Sequence, residues 1–260
     1  MLSALVDSAI DVVASTLNML AVWQAAVPAD REHRFGHGKA EALAGLGQSL
    51  LILASAVLLA VEAARRLLDP EPVTNGALGV GVMLAAIVLS GALVAYQRRV
   101  ARATGSLAIA ADSVHYKTDL LANLAVLAGI ALATWFGLGR ADPVIALCVA
   151  GYIGYSAWPV LRTAYDQLMD RELPEADRRR IHAIVLGHSE VHDIHELRTR
   201  MSGNQTFIQF HIELHAGMAL AHAHAIADEI EREVRAAFPG AEVLIHEDPV
   251  DEAGARAPVC

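Results

Sequence analysis

The chain has 260 residues, 55% of them hydrophobic and 19% charged, and its mean hydropathy is +0.40. A soluble domain runs nearer 45–50% apolar with about 25% charge, so composition excludes an ordinary soluble globule. The formal net charge of −9 excludes the basic face that nucleic acid requires and suits a cationic partner instead, and two cysteines, Cys148 in an apolar run and Cys260 at the end, exclude a disulfide framework.

The charge is unevenly spread. Residues 171–260 hold 16 Asp and Glu against 9 Lys and Arg, so −7 of the −9 lies there. Residues 1–165 contain long stretches almost free of charge. The chain opens directly in an apolar run, with no basic leader and no small-residue cleavage site, so it does not read as a signal peptide. A bilayer-crossing helix takes about 20 apolar residues. Five segments qualify: Leu2–Val27, Ala40–Val61, Ala77–Tyr96, Leu107–Trp135 and Pro143–Leu161. Short polar links, PADREHRFGHGK, ARRLLDPEPVTNG, QRRVARATGS and GLGRAD, join them. With the C-terminal part in the cytoplasm, the inner links carry Arg31, Arg34, Lys39, Arg98, Arg99 and Arg102, and the outer ones only Arg65, Arg66 and Arg140. That bias agrees with the excess of positive charge on cytoplasmic loops. It leaves Met1 on the far side, and one more helix ahead of Met1 would restore an even count.

The membrane part is therefore assigned to residues 1–165, a soluble domain to 171–250 and a disordered tail to 251–260. Within the soluble domain, 174–188 reads as a helix, with Pro174 and acidic residues at its start. IHELRTRM and TFIQFHIEL alternate as strands around a Ser-Gly-Asn turn, 219–237 is an amphipathic helix, and AEVLIHED is a third strand. The expected order is α-β-β-α-β, a small sheet with helices on one face.

Charge inside a spanning helix costs roughly 2.5–3.5 kcal/mol per Asp at the helix centre, so such residues are functional by default. The first segment nevertheless has Asp7 and Asp11, and the fourth has Asp112, His115, Lys117 and Asp119. Asp7 with Asp11 and His115 with Asp119 are i,i+4 pairs, each sharing one helix face. Two such pairs facing each other present three carboxylates and one imidazole, a donor set that suits tetrahedral Zn²⁺ and tolerates other divalent ions. Snorkelling at the interface, or a proton relay without metal, is the plainer account of any one of these residues.

LVDSAIDVVAS, PADREHRFGHGKAEALA, ADSVHYKTD, QLMDRELP and the closing IHEDP together resemble the cation diffusion facilitators, in particular their bacterial ferrous-iron and zinc efflux members. The resemblance covers nearly the whole chain. It implies an α-helical membrane bundle with a cytoplasmic, metallochaperone-like α/β domain, working as a homodimer in the bacterial inner membrane. It also implies export of Zn²⁺, and of Cd²⁺, Fe²⁺, Mn²⁺ or Co²⁺ where geometry allows, in exchange for H⁺. The resemblance further implies that the transport site falls on Asp7, Asp11, His115 and Asp119. The family has six spanning helices, against five here, the one preceding LVDSAIDVV being unrepresented.

The loop Asp30-x-x-His33-x-x-x-His37 offers a carboxylate and two imidazoles, and the resemblance maps a second metal site onto them. Gly36 and Gly38 beside His37 would let the backbone fold around an ion. A solvated polar loop is the plainer account. Nine of the twelve histidines lie between His182 and His246. In FIQFHIEL the face carrying Ile208, Phe210, Ile212 and Leu214 is the core face, which turns His211 outward; in VLIHED, Val243 and Ile245 point in and His246 and Asp248 out. The open sheet face would then carry His195, His211, His246 and Asp248, with His224 from the helix, and the resemblance places a two-ion site there. The same face is expected to dimerise. The resemblance also places an interlocking ion pair on Lys39 and Asp170. Two other functions fit parts of the pattern: a non-transporting membrane metal sensor, and a membrane metalloenzyme. Against the enzyme, a catalytic zinc needs an open position and a nearby general base, and no HExxH or comparable motif is present.

Overall fold

The computed structural model describes residues 2–68, 77–136 and 141–250, without the side chains of residues 2–10 and of several residues near 77–82 and 130–136. The tail assigned to 251–260 lies outside these, as do parts of two predicted links. The chain divides into two compact units, Met1–Asp166 and Gln167–Cys260.

The first unit is helical: α1 (Leu2–Ala25), α2 (Lys39–Leu68), α3 (Ala77–Thr104), α4 (Leu107–Phe136) and α5 (Ala141–Leu168), whose last residues run past the division between units. Among the described residues, Lys39–Leu68, Met83–Thr104 and Ala141–Leu168 are long and apolar enough to cross a membrane. Most helices outrun the predicted spans. At 1.5 Å per residue, the 28 residues of α3 measure about 42 Å, well beyond a hydrocarbon core of about 30 Å. The predicted link QRRVARATGS is accordingly helical as far as Thr104, and the chain turns only at Gly105, where φ is 69°. Arginine is a good helix former, so charge ends the apolar span without ending the helix. Inside the bundle, Ile52 and Ala56 of α2 pack against Ile153 and Ala157 of α5, with Val114 of α4 beside them. Small residues at these crossings let backbones approach where lipid supplies no hydrophobic drive.

The second unit runs α6 (Glu175–Val185), β1 (Asp193–Ser202), β2 (Gln205–His215), α7 (Leu220–Ala237) and β3 (Glu242–Val250), the expected α-β-β-α-β order. The sheet order is β1-β2-β3, with β1 and β2 antiparallel and β2 and β3 parallel across the α7 connection. Ile208, Phe210, Ile212 and Leu214 of β2 are buried against Ile181 and Val185 of α6 and Ile226, Ile230 and Val234 of α7. Each such side chain contributes about 1.5–3 kcal/mol through burial, enough to make this face the core and commit both helices to it. The opposite face of β2 is left to His211 and its neighbours.

Candidate metal centres

Four ligands held tetrahedrally at about 2.0–2.2 Å from zinc stand roughly 3.3–3.6 Å from one another. Donor atoms already at that spacing need little rearrangement to take an ion.

In the helical unit, Asp11 of α1 faces His115 of α4, with Asp11 Oδ1 3.3 Å from His115 Nε2. Asp119, one turn further along α4, brings Oδ2 to 3.8 Å from the same nitrogen. His115 is only 16% exposed, so its imidazole is held between the two carboxylates rather than in open solvent. Flanking bonds fix the approach of the helices: Ser15 Oγ lies 3.2 Å from the Tyr116 hydroxyl, and Asn18 Nδ2 donates to the Ala108 carbonyl at 3.3 Å. Asp7 stands one turn before Asp11 on α1, and its side chain lies outside the described residues. Asp112 does not join this group. Its Oδ2 accepts from Gln97 Nε2 of α3 at 2.6 Å. Lys117 also turns away and donates to the Tyr152 hydroxyl of α5.

The loop between α1 and α2 draws Asp30, His33 and His37 together. His33 Nδ1 is 3.5 Å from Asp30 Oδ1, and His37 Nε2 is 3.5 Å from Asp30 Oδ2. One donor atom from each of the three lies within 4.8 Å of the others. Asp30 Oδ1 caps the turn by accepting from the His33 and Glu32 amides at 2.6 and 2.9 Å. The His33 amide is the largest influence holding the Asp30 carboxyl below its ordinary value; desolvation opposes it, and the Glu32 amide and the two imidazoles tip the balance downward. His37 Nδ1 lies 3.3 Å from the Val27 carbonyl, and with its hydrogen donated there Nε2 is available to bind an ion shared with Asp30. Of the two glycines beside His37, Gly36 has a left-handed backbone, φ 75°, and its N–H donates to the His33 carbonyl at 3.0 Å. Gly38 is not among the left-handed glycines, so the turn uses one glycine rather than two.

On the open face of the sheet, His195 of β1, His211 of β2 and His246 of β3 are direct register partners, one row of imidazoles across three strands. Two residues along, Asp193, Glu213 and Asp248 form a parallel row of carboxylates. Asp248 joins the rows: Oδ2 is 2.8 Å from His211 Nδ1 and 3.1 Å from His195 Nε2, and Oδ1 is 3.3 Å from His246 Nε2. Burial raises the Asp248 carboxyl, but the His211 hydrogen bond and the charges of His211, His246 and His195 outweigh it and leave it below its ordinary value.

His224, the fifth residue of the expected set, lies near the start of α7, exposed and 3.8 Å from Asp228, and is not in the group formed by His195, His211 and Asp248. Glu213, by contrast, was not foreseen: its Oε1 lies 3.6 Å from His195 Nδ1. It follows His211 by two residues, the same spacing that singled out Asp248 after His246. Asp170 adopts a left-handed backbone, φ 53°, and pairs with Arg200 Nη1 at 3.4 Å; Lys39 opens α2 in the other unit.

Residues 1–169 match the profile of the cation efflux transmembrane domain, and residues 173–250 that of the cation efflux protein cytoplasmic domain. The chain is 48% identical over 250 residues to a cation-efflux pump, FieF, of Shewanella oneidensis, a match covering 96% of this chain and 84% of the relative. It is 46% identical over 249 residues to a cation-efflux pump FieF of Yersinia pestis, covering 96% and 83%. Among solved structures, the metal-bound C-terminal domain of the CzcD transporter from Thermotoga maritima aligns at 27% identity and a TM-score of 0.28, covering 30% of this chain and 94% of that one.

Proposed function

The chain belongs to the cation efflux family, a family of membrane transporters of metal cations and not of enzymes, and from that premise we propose that it exports Zn²⁺, with Cd²⁺ and Fe²⁺ as further substrates, in exchange for H⁺. The observation that carries this reading is His115 held between Asp11 and Asp119 on two membrane helices; in this reading Asp7, one turn before Asp11 on α1, supplies the fourth ligand. Imidazole and carboxylate must both be free of protons to hold a cation, so a proton and a metal ion compete for the same atoms. Mn²⁺ and Co²⁺ also accept such N,O donors, so selectivity follows from geometry and metal supply.

Two further sites support export. Asp30, His33 and His37 take an ion at the loop, with a fourth position left for water. His195, His211, His246 and Asp248 take metal on the cytoplasmic sheet face, where the 2.8–3.3 Å spacings must open slightly to reach those of a zinc site. Bound metal offsets part of the −7 carried by residues 171–260 and so favours pairing of this face with a second copy. The working form is accordingly a homodimer in the bacterial inner membrane.

Flux of radioactive zinc into sealed proteoliposomes under a proton gradient tests the transporter reading directly. A sensor or a metalloenzyme binds zinc but leaves the vesicle interior unlabelled. The dimer is tested by sedimentation of residues 171–250, which have their own hydrophobic core, with and without Zn²⁺. A monomer unchanged by zinc removes the metal-dependent dimer.

A further inference from the structure

The metal-ligand row on the sheet face is supported from one side by a residue outside that row. His195 Nε2 points to Asp248 at 3.1 Å. Its other nitrogen, Nδ1, is buried and has no hydrogen-bond partner, while Glu213 Oε1 stands 3.6 Å away, just beyond bonding distance. Glu213 is 15% exposed and sits between Asp193 and Asp248 in the carboxylate row, directly beside the histidine row. A neutral imidazole has one N–H. When Nε2 binds a cation, that hydrogen must sit on Nδ1, where a buried donor without an acceptor is unfavourable. A ligating histidine ordinarily gives its second N–H to a carboxylate or carbonyl, which fixes both tautomer and ring orientation.

We propose that Glu213 is a positioning residue for the cytoplasmic metal site: its carboxylate accepts the His195 Nδ1 hydrogen and so presents His195 Nε2, beside His211 and Asp248, as the metal-binding lone pair. This rests on the reading that the sheet face binds metal. The backbone adds a reason for the device. The regular β1–β2 register breaks immediately after His195, and Glu196 has φ 48°. His195 is therefore the last residue held by the ladder before a bulge, and its ring lacks the backbone constraint on that side that His211 has from strands on both flanks. Glu213, on the central strand, supplies the missing constraint.

The test uses the full chain in nanodiscs with Asp11→Ala and Asp30→Ala as background, so that zinc retained reports the cytoplasmic site. Glu213→Leu should weaken zinc binding about 10–100-fold, the usual effect of removing such a partner. Glu213→Gln, whose amide oxygen still accepts the Nδ1 hydrogen, should restore affinity to within a few-fold of the parent. In ¹⁵N-histidine-labelled chain with zinc bound, the nitrogen spectrum should show His195 protonated at Nδ1 in the parent and the Gln variant. Wild-type affinity in Glu213→Leu overturns the proposal. So does a Gln variant as weak as Leu, since that makes Glu213 a charge partner or direct ligand. Failure of the underlying reading looks different: His211→Ala and Asp248→Ala would then leave zinc binding unchanged.

Discussion

His115 Nε2 and Asp11 Oδ1 lie 3.3 Å apart although 104 residues separate them, so one contact joins α1 to α4 at the point where both carry charge into the membrane. An ion bound there is held by two helices at once, and its arrival or loss acts on how they pack. Asp119→Ala removes one of the two carboxylates flanking the imidazole and should abolish zinc flux while thermal unfolding in detergent stays near wild type. In the unmutated chain, apparent zinc affinity should rise with pH, because protons and the ion compete for the same ligand atoms. Transport at the wild-type rate in Asp119→Ala would show that the quartet is not the route.

Asp112 shares α4 with His115 but does a different job. Its Oδ2 accepts from Gln97 Nε2, and the two remaining oxygens, Asp112 Oδ1 and Gln97 Oε1, are buried without a hydrogen-bond partner. Asn at 112 keeps one acceptor for Gln97 and offers its own N–H to Gln97 Oε1, pairing both. Asp112→Asn should therefore melt at or above wild type and still transport. Asp112→Ala leaves the Gln97 amide buried and unpaired, a loss of about 1–3 kcal/mol, and should melt several degrees lower. Equal melting temperatures for the two variants would remove the Asp112–Gln97 pair as a stabilising contact.

Local spacing made the site residues legible, and three-dimensional packing decided the rest. The i,i+4 rule brought His115 and Asp119 onto one face of α4, and the i,i+2 rule put His246 and Asp248 on one face of β3. Neither rule could say that Asp112, also on α4, turns to Gln97, because that depends on which neighbour each face of α4 meets. For His224 the helix could be read from sequence, but not where its side chain stands relative to His195, His211 and Asp248. Glu213 was within reach of the strand alternation and was passed over because glutamate on a solvated strand face is ordinary. Helix ends were the least legible, since Arg98, Arg99 and Arg102 mark the edge of an apolar span yet favour continued helix.

The Asp248 carboxyl makes the cytoplasmic unit's metal-free stability depend on pH in a stated direction. A carboxylate held below its unfolded value favours the folded state at pH above the ordinary carboxylate range, roughly pH 4, and that contribution is lost as pH falls through the lower, folded value. In metal-free chain, Asp248→Asn should narrow the difference in cytoplasmic-unit melting between neutral and acidic pH. An unchanged pH profile would mean that the three imidazoles do not hold this carboxylate in solution.

Gly129 tests the packing of α4 against α5 with no charged group altered. A Cβ built there would meet the Asp142 carboxylate oxygen first and then stand 3.0 Å from Asp142 Cβ and 3.1 Å from Asp142 Cα, so swinging the carboxylate aside does not by itself clear the site and the backbone of α5 must also give. Gly154 on α5 is the control, because a Cβ there meets nothing within 4 Å. Alanine in a helix is favoured over glycine by about 0.5–1 kcal/mol, so an open site should gain from the change. At 129 that gain is opposed by overpacking, typically about 1–3 kcal/mol, and the two helices must separate or shift in register. Gly129→Ala should lower the melting temperature in detergent, while Gly154→Ala should hold or raise it. Asp142 also lies 4.0 Å from Arg66 Nη1 of α2, so a displaced α5 should weaken that contact as well. If Gly129→Ala melts with Gly154→Ala, the close approach of α4 and α5 is absent in the folded protein.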